Sequence, residues 1–102
     1  MPVTLQVLYP ITDDTHFDYD YYADTHMKIV GEHLGAFIDR TLVTKGVAGG
    51  PDTPPGFYAI ASIVFPTQDA RDAAMAASGP VMGDLPNFTN VQPTLLVGNV
   101  IG

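Results

Sequence analysis

The sequence predicts an α+β domain of four strands and two helices in which both faces of the sheet are covered. Three observations predict it. Its 102 residues, 46% hydrophobic and 15% charged, are enough for one compact core and too few for two. Apolar residues alternate with period two in four stretches and follow a helical period in two others. The later strands are apolar on both sides, the pattern of a strand buried on both.

Met1 to Pro10 alternates, with Val3, Leu5, Val7 and Tyr9 on one face and Thr4, Gln6 and Leu8 on the other, and reads as the first strand. Ile11 to Phe17 carries Thr, Asp and His and reads as a loop. From Asp18 to Leu34 there is no proline, and at about 100° per residue Tyr19, Tyr22, His26, Ile29, Val30 and His33 share one stripe. Asp20, Asp24, Lys28 and Glu32 fall opposite, Asp24 and Lys28 forming a favourable i,i+4 pair. Asp18 suits the cap of this helix and Gly35 its stop. Phe37 to Val47 predicts the second strand and Ala48 to Gly56, rich in Gly and Pro, the loop to the third, Phe57 to Phe65. Thr67 caps a second helix that runs through Ser78 with an inward stripe of Ala70, Ala73, Ala74 and Ala77; Gly79-Pro80 ends it. Pro80 to Asn90 reads as irregular, and Val91 to Ile101 as the last strand, with Pro93 marking an edge.

Strand, helix, strand, strand, helix, strand is the split βαβ order of a ferredoxin-like βαββαβ sandwich. Two helices cover only one face of such a sheet. The third strand nevertheless has Tyr58, Ile60 and Val64 on its second face, and the fourth has Leu96 and Val100. A second subunit is the simplest cover, so the expectation is a homodimer in which two sheets face each other as a dimeric α+β barrel.

Eleven acidic residues against four basic ones give a net charge of −7. Four cations cannot neutralise a run of phosphates or dock on an anionic bilayer, so neither nucleic acid nor membrane is an expected partner. With zero cysteine, disulfides, thiolate metal sites and cysteine nucleophiles are excluded together. The first residues lack a basic flank and a long apolar run, and the chain reads as cytoplasmic. No glycine-rich phosphate loop or dinucleotide fingerprint is present, and no flavin, nicotinamide or metal is expected.

His26 is the leading candidate for chemistry, an imidazole in the middle of an apolar stripe with Tyr22 one turn away. It reads either as a proton-transfer group or as a core histidine that bonds Tyr22 or a strand carbonyl. His33 lies on the same stripe near the helix end, where it can serve the dipole. His26 and His33 stand about 10.5 Å apart along the axis, too far to share one ion. His16, with Asp13 and Asp14, reads as a solvated loop. Tyr19 and Tyr22 face inward and Tyr21 away. The alanine stripe either presses close to the sheet or leaves volume for a pocket. On the pocket reading, His26→Leu should cost little stability; on the core reading it should cost about 1–3 kcal/mol.

The stretch Phe17-Asp18-Tyr19-Asp20-Tyr21-Tyr22-Ala23-Asp24-Thr25-His26-Met27 resembles the Phe-Asp-x-x-Tyr-Tyr-x-x-x-His opening of the first helix in the EthD family. Asp84-Leu85-Pro86-Asn87-Phe88-Thr89-Asn90 is similar to that family's lead into the last strand. The resemblance covers nearly the whole chain and departs at Lys28, where the family commonly has Pro. It implies the dimeric α+β barrel group, whose members include cofactor-independent monooxygenases, lactone isomerases and polyketide cyclases. It further implies a small apolar or aromatic ligand between sheet and helices, with His26 and Tyr22 as its polar, catalytic pair. Phe17 and Phe88 match family positions lining it, and Tyr19, Ile29, His33 and Phe65 are added as lining. Two classes stand open: a cofactor-independent oxidoreductase, isomerase or cyclase, and a non-catalytic carrier or accessory subunit.

Overall fold

A computed structural model describes residues 2–102. The strands are β1 (Val3–Pro10), β2 (Arg40–Lys45), β3 (Phe57–Phe65) and β4 (Thr94–Asn99), in one antiparallel sheet of order β2-β3-β1-β4. The two strands with the strongest alternation, β1 and β3, lie in the centre and pair over Val3↔Phe65 to Tyr9↔Ala59. The edge strands are shorter than the sequence predicts. The chain leaves the first helix through turn bonds from Phe37 N–H to the Leu34 carbonyl and Ile38 N–H to Gly35, so β2 starts only at Arg40. Pro93 has no N–H to give the ladder, and β4 starts after it.

The first helix is three pieces: α1 (Tyr19–Tyr21), a π-turn (Tyr22–His26) and α2 (Met27–Leu34). Asp18 caps it, accepting from Tyr21 N–H at 3.0 Å, while its own N–H donates to the Phe88 carbonyl at 2.8 Å. In the π-turn Met27 N–H reaches the Tyr22 carbonyl five residues back, one residue more than an α-turn holds. That extra residue rotates everything after it by about 100°. The buried line becomes Tyr22, His26, Val30 and Leu34, and His33, expected inward, is exposed. The second helix is α3 (Gln68–Ala76), capped by Thr67, which accepts from Ala70 N–H at 3.1 Å. The segment expected to be irregular holds α4 (Gly79–Gly83) and a 3₁₀ turn at Leu85–Asn87.

Between sheet and helices sit two apolar clusters. One joins Val3 of β1 and Phe65 of β3 to Val30, Leu34, Ala74 and Val81; the other gathers Tyr9, Tyr22, Leu85, Phe88 and Val91. Phe65 and Phe88 are 0% and 1% exposed, each burial stabilising by about 1.5–3 kcal/mol. The opposite face of the sheet carries Leu8, Leu42, Ile60 and Leu96; Leu42 is 61% and Leu96 55% exposed.

Candidate active site

The seam between the two clusters is not filled. A cavity of about 160 Å³ lies there, floored by Val7, Ala61 and Ile63 of the sheet and roofed by Tyr22, His26 and Val30. Its outer wall is Met75, Val81 and Met82 of α3 and α4. The alanine stripe is not that wall: Ala74 is packed into the first cluster, so small side chains there serve close approach.

His26 is 3% exposed and lines the cavity. Nδ1 lies 2.9 Å from Oδ2 of Asp84, itself buried on the turn after α4. The other carboxylate oxygen of Asp84 accepts from the Tyr21 hydroxyl at 2.7 Å and from Asn87 Nδ2 at 2.9 Å. Burial pushes the Asp84 pKa up, but the bonds from Asn87, Tyr21 and His26 outweigh it and hold the carboxyl below its ordinary value. Asp84 is therefore an ionised acceptor, and Nδ1 carries the proton it accepts. Nε2 has no protein partner among the described residues, yet is not one of their closed-off orphan atoms. His26 lines the cavity, and Nε2 is the ring atom that the Asp84 bond leaves unused.

Phe88 packs its ring 4.6 Å from the imidazole and 5.2 Å from Tyr22, and Tyr22 lies 5.0 Å from His26. Tyr9 completes the wall, 6.0 Å from Tyr22. Burial pushes the Tyr22 hydroxyl up to about 12, and it raises Tyr9 as well, with the neighbouring Tyr22 adding to the effect. Both phenols stay protonated; Tyr9 donates to Tyr22, which leaves the Tyr22 hydroxyl proton of the pair to donate. Base and neutral donor side by side in an apolar space can take a proton from a bound molecule and steady the charge left behind.

The residues picked from the sequence divide accordingly. His26 and Tyr22 line the cavity, and Phe88 supports both. Phe17 and Tyr19 do not reach it; they line an outer cleft on the far side of Tyr22, Phe17 5.3 Å from the Tyr22 ring. Ile29 is half-buried against the first cluster, and Phe65 is sealed inside it. His33 is exposed for the reason given by the π-turn. Tyr21, expected to face away, lies along Phe88 at 6.2 Å and reaches Asp84. Asp84 was not foreseen as a site residue. The signal for it was a lone carboxylate inside the apolar run Val81-Met82-Gly83-Asp84-Leu85, where a buried charge needs a partner. Among the described residues, no three His, Cys, Asp or Glu side chains converge as metal ligands. No helix among them is long and apolar enough to cross a membrane.

Sheet, helices and enclosed imidazole define a ferredoxin-like α+β protein with an apolar cavity on the helix side of the sheet. The EthD domain matches residues 12–91, and the chain belongs to the EthD family. It is similar to an EthD-like protein from Ralstonia eutropha JMP134, with 33% identity over 99% of this chain and 93% of that one and a TM-score of 0.89. An ethyl tert-butyl ether D (EthD) family protein from Bacillus halodurans C-125 matches at 21% identity over 99% of this chain and 100% of that one, TM-score 0.66. A dimeric protein of unknown function with a ferredoxin-like fold from Bacteroides fragilis NCTC 9343 matches at 12% identity, over 97% and 96%, TM-score 0.54. No curated protein matches the chain.

Proposed function

We propose that this EthD protein is an enzyme that binds a small apolar or aromatic organic molecule in the cavity and removes a proton from it with His26. The observation that carries this reading is the Asp84–His26 pair, in which an ionised carboxylate accepts from Nδ1 and leaves Nε2 without a protein partner on a residue that lines an apolar cavity. A histidine serving only the core would not need to line a cavity. The volume, about 160 Å³, is close to that of a cavity known to take up benzene, about 150 Å³, so one ring is the natural size of the guest. Tyr22, which accepts from Tyr9, supplies a neutral donor for an oxygen on the substrate. Deprotonation opens two routes, isomerisation or dehydration of the resulting anion and its oxidation by dioxygen, the first needing nothing beyond these residues.

The working protein on this reading is a homodimer. Leu8, Leu42, Ile60 and Leu96 lie on the second sheet face around the hydrogen-bonded pair Gln6 and Ser62, and a neighbour of the same fold is described as dimeric.

Acetophenone, a one-ring ketone with exchangeable protons, tests the base. In deuterium oxide the protein should speed loss of its α-protons over buffer, and His26→Ala should not. Equal exchange in all three samples, with acetophenone shown to bind, leaves a carrier and removes the enzyme.

A further inference from the structure

The outer cleft is walled by Tyr22, Met27 and Val43, and each of these three also lines the His26 cavity. The two spaces therefore share one partition, with His26 behind it and Phe17, Tyr19 and Lys45 in front. Lys45 is one of four cations in a chain of net charge −7. It forms no ion pair with a carboxylate among the described residues; its ammonium rests over the Tyr19 ring, 4.3 Å from the centroid. Lys45 is exposed, and pairs with Ala59 on the same face of the sheet where Val43 pairs with Ala61. It stands two residues after Val43, about 7 Å along β2.

The geometry points to the outer cleft as the mouth of the His26 cavity and to Lys45 as the group that selects an organic anion, a one-ring carboxylate whose apolar end meets the partition. This rests on the cavity reading and adds the charge of the guest. A benzene ring with a carboxylate is about as long as the step from Val43 to Lys45. Its apolar end then meets Tyr22 and Val43 while its charge stays at the rim, where water still reaches it. A carboxylate deeper in the cavity would have only a few polar atoms to replace its hydration. The ammonium held over an aromatic face is already oriented, and exchanging that contact for a carboxylate leaves no cation buried.

Benzoate, benzamide and benzylammonium differ little in size and differ in charge, so they test the rim separately from the cavity. Methyl-resolved nuclear magnetic resonance titrations at Val43 and Met27 read the binding of each. Benzoate should bind more tightly than benzamide at low salt, and Lys45→Gln should weaken benzoate by about threefold to fivefold while leaving benzamide unchanged. Lys45→Glu should reverse the order in favour of benzylammonium. If benzamide and benzoate bind alike and neither responds at position 45, the rim selection is wrong and the cavity reading stands. If none of the three perturbs Val43, Met27 or His26, both are wrong.

Discussion

Nδ1 of His26 bonds Asp84, not the Tyr22 hydroxyl or the strand carbonyl that the core reading named, and the residue lines the cavity as well. His26→Leu should therefore end proton transfer and also cost about 1–3 kcal/mol in urea melts, because Asp84 stays behind with one partner fewer. Asp84→Asn is the finer change. An asparagine amide facing Nδ1 favours the proton on Nε2, so substrate should still bind while turnover falls by orders of magnitude. The same residue sets the acid limb of stability. Its folded pKa is depressed, so its contribution is complete above the ordinary value of 3.8 and is lost as pH falls through the lower folded value. Acid titration of unfolding should show a shallower limb in Asp84→Asn than in the parent. Tyr22 works in the opposite direction: its ordinary value of 10.0 is raised to about 12 in the fold. The neutral phenol favours folding below pH 10, and the contribution, on the order of 3 kcal/mol, is lost as pH rises toward 12. Tyr22→Phe should lose less stability than the parent between pH 9 and 11.

At the scale of elements, the start of the first helix is the joint on which the site depends. Asp18 caps α1 with its side chain and ties to Phe88 with its N–H, so cap and cavity wall are fixed to each other. Asp18→Ala should cost about 1 kcal/mol and loosen Tyr21 from Asp84, read as a lower melting temperature and a shifted Tyr21 resonance. Elements held by their own pattern were legible: Phe57–Phe65 is a strand at both ends as expected, and Asp18 and Thr67 cap the helices that follow them. The π-turn was not, since an extra residue in one turn leaves no mark in an apolar period that is only approximate. It moved Ile29 and His33 off the cavity. Asp84 escaped for another reason: it meets His26 across 58 residues of chain, and no local spacing encodes that meeting. Phe65 looked like lining because its face was right; its position along β3 puts it beside α2 and α3, away from the gap.

For the whole molecule, the open sheet face makes the strongest demand. Light scattering at micromolar concentration should give twice 10.9 kDa, and Leu96→Asp, on the edge strand β4 of that face, should return the mass to 10.9 kDa without unfolding the chain. The sheet order has a further consequence, for the time course of folding. β1 is made first but lies between β3 and β4, with Val3 opposite both Phe65 and Asn99. On a ribosome, the first strand must wait for the last before it has a neighbour on each side, and its apolar edge stands open until then. Contacts that span almost the entire chain slow the search for the native pairing. Folding therefore waits for β4, and chains stalled before β4 emerges should be the ones that chaperones hold and proteases cut.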